Sequence, residues 1–139
     1  MTVLYSAEMA GLAAVPVSLP SGGIVDGNVR VKRATITLAT QTTSDTIVIA
    51  KATEGESFLY GVVNTDTSLG SAQIAIGVSG AVAKYKAAAV QTATNAPAIF
   101  GVNAGTATLT ASEEIFITIS AANLPASGNL VVDMYFSAT

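Results

Sequence analysis

The chain has 139 residues, half of them hydrophobic and only 11% charged, with a formal net charge of −3. That length suits one domain able to bury roughly two-thirds of its unfolded surface, while six basic residues against nine acidic ones exclude the clustered positive charge that a nucleic-acid binder needs. Cysteine, histidine and tryptophan are absent, which removes disulfides, thiolate nucleophiles and imidazole proton shuttles.

Residues 1–27 differ from the rest. They hold two of the four prolines, Pro16 and Pro20, and a Ser21-Gly22-Gly23 run, so no regular strand is expected beyond Pro16. Val3, Leu4, Tyr5, Met9 and Leu12 make the stretch too apolar for a free disordered tail. The composition predicts an arm that lies on the domain or on a neighbour, with those five residues as its interface. A short helical turn over residues 7–13 is compatible with it, capped by Ser6. No basic segment followed by an apolar run opens the chain, so no secretory leader is expected. No stretch is long enough to span a membrane. The protein reads as soluble and cytoplasmic at synthesis.

From Asn28 to the end the pattern is β. In residues 28–40 the apolar side chains fall at Val29 and Val31, then at Ala34, Ile36 and Leu38. Each set keeps a period of two, but the parity switches. A bulge or bend near Lys32 and Arg33 would account for it. Further strands are expected over residues 45–52, 58–65, 71–78 and 81–90, then around Ile99 and Phe100, weakly over 106–110, and over 113–120 and 129–137. The alanines of 87–96 suggest a helix at first sight, yet Val90, Thr92 and Thr94 are β-branched and argue against one. Tyr85 is flanked by Lys84 and Lys86, which must both point away from it.

Eight or nine short strands, separated by turn residues and with no convincing long helix, predict an all-β antiparallel sandwich or jelly roll over residues 28–139.

The polar groups give little chemistry. Asn64, Asp66 and Ser68 alternate before Gly70 as at the start of a calcium loop. However, Leu69 and Ala75 stand where such a loop needs glycine and a bidentate glutamate. The stretch therefore reads as a hairpin loop whose side chains bond their own backbone. Glu113 and Glu114 are adjacent on a strand and point to opposite faces, so they cannot act together as acid and base. Asp133 lies in an apolar strand, either exposed or paired with a Lys or Arg at an interface. Arg30, Lys32 and Arg33 read as a solvated strand end or a contact to an acidic partner. No catalytic, cofactor-binding or metal-binding residue is assigned, and an enzyme is not expected. The aromatics, one or two per strand, suit a sandwich core or a subunit contact better than a nucleic-acid stacking platform.

The order of segments from residue 28 to 137 resembles the jelly-roll decoration, or cement, proteins of tailed bacteriophages. The correspondence runs through Asp45 to Ile47, Val62 to Asn64, Leu69 to Ser71, Ile76-Gly77, Lys84-Tyr85, Thr110 to Glu113 and Val131 to Tyr135. The resemblance implies a protein on the outer surface of the virion that bridges major capsid protein subunits. It also implies a homodimer or homotrimer, and brings no catalytic residues and no cofactors. Independently, so few charges leave little to keep a whole surface soluble, which suggests that part of it is covered by another protein. The alternative from another class is a carbohydrate- or ligand-binding β-sandwich module of a phage fibre or head fibre, which a glycan array would test.

Overall fold

A computed structural model describes residues 28–101 and 108–138. Eight strands are formed among them: β1 (Val29–Thr37), β2 (Thr46–Ala52), β3 (Glu56–Thr65), β4 (Gln73–Val78), β5 (Ala81–Val90), β6 (Ala98–Phe100), β7 (Glu113–Ser120) and β8 (Asn129–Ala138). No helix occurs among the described residues. The arm expected over residues 1–27, with Val3, Leu4, Tyr5, Met9 and Leu12, lies outside them.

The strands build two four-stranded antiparallel sheets, ordered β1-β8-β3-β6 and β2-β7-β4-β5. Only β4 and β5 are neighbours both in the chain and in a sheet. The chain otherwise passes from one sheet to another or returns to a distant strand, the wrapping of an eight-stranded jelly roll. Alternation along each strand supplies the core between the sheets. In β8, Leu130, Val132, Met134 and Phe136 are fully buried; from the other sheet Ile74 and Ile76 of β4 and Ile115, Ile117 and Ile119 of β7 meet them. Each such side chain contributes about 1.5–3 kcal/mol through burial.

The bend expected in the first strand is elsewhere. β1 pairs with β8 in unbroken register from Val29↔Ser137 to Thr37↔Asn129. In this sheet the register shift falls in β3, between Phe58 and Tyr60. Leu59 is the extra residue, so Phe58 points into the core and Tyr60 points out. The parity switch in β1 has a different cause: Val29 and Val31 are exposed residues on the outward face, 58% and 56% accessible, while Ile36 faces the core.

Residues 81–90 are strand, as the β-branched residues argued, and residues 91–97 are irregular. Of the weak strand expected over 106–110, the described part makes a single bridge, Ser57↔Thr108. Glycine is required at Gly61 by packing and at Gly80 by backbone conformation. At Gly61 a Cβ would sit 2.1 Å from Cζ of Phe100, so β3 admits the ring of β6 only without a side chain. Gly80 takes φ +82° in the β4–β5 turn, a conformation costly for other residues.

Candidate functional site

Each sheet carries its own buried or half-buried ion pair. Lys32 leaves β1 toward the core side, with its ammonium 3.3 Å from Glu56 Oε1 and 5.3 Å from the centre of the Phe136 ring. The same carboxylate oxygen accepts the Thr53 backbone N–H at 2.8 Å and the Thr53 hydroxyl at 2.7 Å. Glu56 is only 2% exposed. Burial pushes its pKa up, but the Thr53 hydrogen bonds and the Lys32 charge outweigh that and hold it below the ordinary glutamate value. From the other sheet, Lys84 Nζ donates to both oxygens of Glu113 at 2.8 Å, and the buried Tyr85 hydroxyl donates to Glu113 as well. Burial, then the Glu113 hydrogen bond, then the charges of Glu113 and Glu56 raise the Tyr85 pKa.

Lys84 therefore starts outward, as alternation demands, but curls back until its ammonium lies 5.3 Å from the Tyr85 ring centre. Lys86 points away from Tyr85 and donates to the carbonyls of Ile74 and Ala87 at 3.4 and 3.3 Å.

The basic cluster of β1 is thus not simply a solvated end. Arg30 is exposed, Lys32 is engaged with Glu56, and Arg33 forks onto Asp133, Nε to Oδ1 at 2.8 Å and Nη2 to Oδ2 at 2.9 Å. Asp133 lies on the outward side of β8, as alternation requires, but is 8% exposed because Arg33 covers it. Its partner comes from the same chain. Periodicity could not show this, because Arg33 and Asp133 are 100 residues apart and meet only through the β1–β8 register.

The polar stretch 64–70 is a structural connection. Asp66 Oδ1 accepts the Asn129 backbone N–H at 2.8 Å and the Thr67 hydroxyl at 3.0 Å. Thr65 Oγ1 donates to the Thr67 carbonyl at 2.6 Å, and Ser68 Oγ accepts the Gly70 N–H at 3.2 Å. The self-bonding turn expected there is present. It is not a hairpin, however, since it carries the chain from β3 in one sheet to β4 in the other. The Asn129 N–H and then the Thr67 hydroxyl draw the Asp66 pKa below the usual value. The Asp66→Ala variant is expected to melt at a slightly lower temperature and to lose part of the acid dependence of that temperature, as a calorimetric series across pH would show.

Glu113 and Glu114 diverge as expected: the first meets Lys84 and Tyr85, the second is exposed. Among the described residues, no group of three or more acidic side chains could hold a metal ion.

The outward face of the β1-β8-β3-β6 sheet is where interaction chemistry collects. The registers place Val31, Tyr135 and Tyr60 in one row and Arg33, Asp133, Val62 and Ile99 in the next. Tyr60 and Tyr135 stack with ring centres 4.6 Å apart and planes 14° apart. Ile99 is 77% exposed. Val31, Tyr60 and Ile99 are exposed on this face, so apolar side chains flank the Arg33–Asp133 pair where a solvated sheet face would alternate polar ones outward. Its sequence signal was the switch of apolar parity in residues 29–38.

No protein-family profile and no curated protein sequence matches the chain. Solved structures do match its fold. A chain of the cyanophage Pam1 capsid asymmetric unit superposes with a TM-score of 0.69 at 19% identity, over 81% of this chain and 86% of that one. A chain of the capsid of Ralstonia phage GP4 gives 0.65 at 14% identity, with the same coverage. A chain of the acidic stable capsid structure of Helicobacter pylori bacteriophage KHP30 gives 0.60 at 8% identity, over 78% and 86%. The jelly roll derived from the strand order is therefore a fold that occurs in phage capsid structures.

Proposed function

We propose that the protein is a non-enzymatic structural component of a phage virion that decorates and cements the capsid by bridging major capsid protein subunits. The observation that carries this reading is the apolar outward face of the β1-β8-β3-β6 sheet, on a fold shared with chains in three phage capsid structures. Such a face repays burial at roughly 25 cal/mol per Å² before the cost of association is subtracted. Repetition over a shell adds avidity, so modest single contacts hold together many subunits. The charged groups described above are spent on internal pairs, which suits a stiff clamp better than a reaction centre. The arm formed by residues 1–27, with Val3, Leu4, Tyr5, Met9 and Leu12, extends the grip beyond the sandwich. The protein works in several copies on the outside of the head.

The test is co-sedimentation with assembled heads. Deleting residues 2–20, or introducing Val31→Asp together with Ile99→Asp, is expected to lower occupancy severalfold and to leave the heads more sensitive to heat. Both valine and isoleucine sites are exposed, so the double variant should stay folded. Unchanged occupancy with either variant would remove the corresponding surface from the contact.

A further inference from the structure

The strand β5 closes one edge of its sheet, and no described strand lies beyond it. Native proteins protect such edges by keeping them short, charging them or covering them. The opposite-sheet edge strand β6 follows that rule with three residues. In contrast, β5 has ten, without proline, and Ala81, Val82, Ala83, Ala87, Ala88, Ala89 and Val90 are all exposed. Its lysines do little to guard it: Lys84 is drawn back onto Glu113 and Lys86 onto backbone carbonyls. Strand side chains project above and below the sheet, so none of these stands between β5 and a strand added at the 4.7–4.9 Å pairing distance.

We propose that this edge is a strand-addition site, filled by residues 2–9 of the arm of a neighbouring copy. The inference rests on the reading of the protein as a multi-copy clamp and names one of the contacts its arm makes. Three observations select this occupant. Val3, Tyr5, Ala7 and Met9 repeat with a period of two, the pattern of a half-buried strand. Glu8 supplies an acid for Lys86, which has only carbonyl partners in its hydrogen bonds. The position and length of the arm also fit. Residues 1–27 join the body at β1, which packs near β2 and so lies at the side away from β5. An extended stretch of that length reaches roughly 90 Å, far beyond a domain whose radius of gyration is about 14 Å. Pro16 and Pro20 fix φ at two points of that linker. Pairing of this kind draws affinity from main-chain hydrogen bonds and specificity from alternate side chains.

The chain lacks cysteine, so single introduced thiols report the contact. Tyr5→Cys and Ala88→Cys are prepared separately, one of them carrying a mass tag, then mixed and oxidised. The expected result is a mixed dimer severalfold above that from Tyr5→Cys with Ala126→Cys, another exposed site. Removing residues 2–9 should also raise amide exchange over 87–90, and added peptide 1–12 should restore protection. Ala88→Pro, tolerable on an exposed edge, should abolish restoration. A mixed dimer no stronger than the control, or a bond that closes within one chain carrying both thiols, overturns the proposal. Head binding retained alongside such a failure overturns strand addition alone. Head binding lost while the cross-link persists would overturn the cement reading alone.

Discussion

The Phe136→Ala variant is expected to lose about 3–5 kcal/mol of stability, the usual range for deleting a buried ring. Phe136 is fully buried, with its ring centre 5.5 Å from Phe58 and 6.5 Å from Tyr85. Phe58 in turn stands 4.7 Å from Tyr85, edge to face, and 6.2 Å from Phe100. The ring therefore links β8 and β3 of one sheet to β5 of the other. It also seats the stem of Lys32, whose ammonium lies above it. Removal leaves a cavity that stiff strands on both sides cannot close, so the loss exceeds the transfer term alone. For a domain of this size the melting temperature should fall by roughly 10–20 °C. Urea unfolding followed by circular dichroism gives the value directly. A loss below about 1.5 kcal/mol would show that the aromatic cluster does not hold the sheets together.

The second large effect is expected at Glu56. Glu56→Ala should cost about 2–3 kcal/mol, less than the limit for breaking a fully buried pair because Lys32 can still reach water. The side chain of Lys32 is 24% exposed and that of Glu56 is 2% exposed. Adding Lys32→Met should recover part of the loss, since the unpaired cation then disappears. The pH dependence has a definite sign. The folded-state pKa of Glu56 is held below its ordinary value, so its contribution is complete above about pH 5 and is lost as pH falls through the folded value. Asp66 acts in the same direction. Tyr85 acts at the other end: its folded pKa is raised, so its contribution is complete below about pH 10 and declines as pH rises further. Chemical denaturation at several pH values should give a plateau with acid and alkaline edges, and Glu56→Ala should flatten the acid edge. An unchanged acid edge would exclude Glu56 as its origin.

The strands themselves were legible in the residues because a pleated chain with one wet and one dry face must alternate, and β7 does so cleanly. Alternation also set Lys86 off the Tyr85 face, where the structure has it donating to the carbonyls of Ile74 and Ala87. The shift in β1 was visible too, but its cause was not. An exposed valine and a bulge produce the same change of parity, and only the unbroken register with β8 separates them. The bulge in β3, at Leu59, was masked because Phe58, Leu59 and Tyr60 are all apolar enough for either face. Glu56 read as part of a turn, since nothing in its neighbours announces a lysine from another strand.

Strand positions and the all-β class thus follow from local chemistry: period two, turn residues and the lack of helix-forming runs act over a few neighbouring positions. The assignment of strands to two sheets, the Lys32–Glu56 and Arg33–Asp133 pairs, and the gathering of valines, tyrosines and Ile99 on one outward face were decided by the tertiary structure alone. Those contacts join residues tens of positions apart, and their free energy depends on which strand lies beside which, a choice that alternation leaves open.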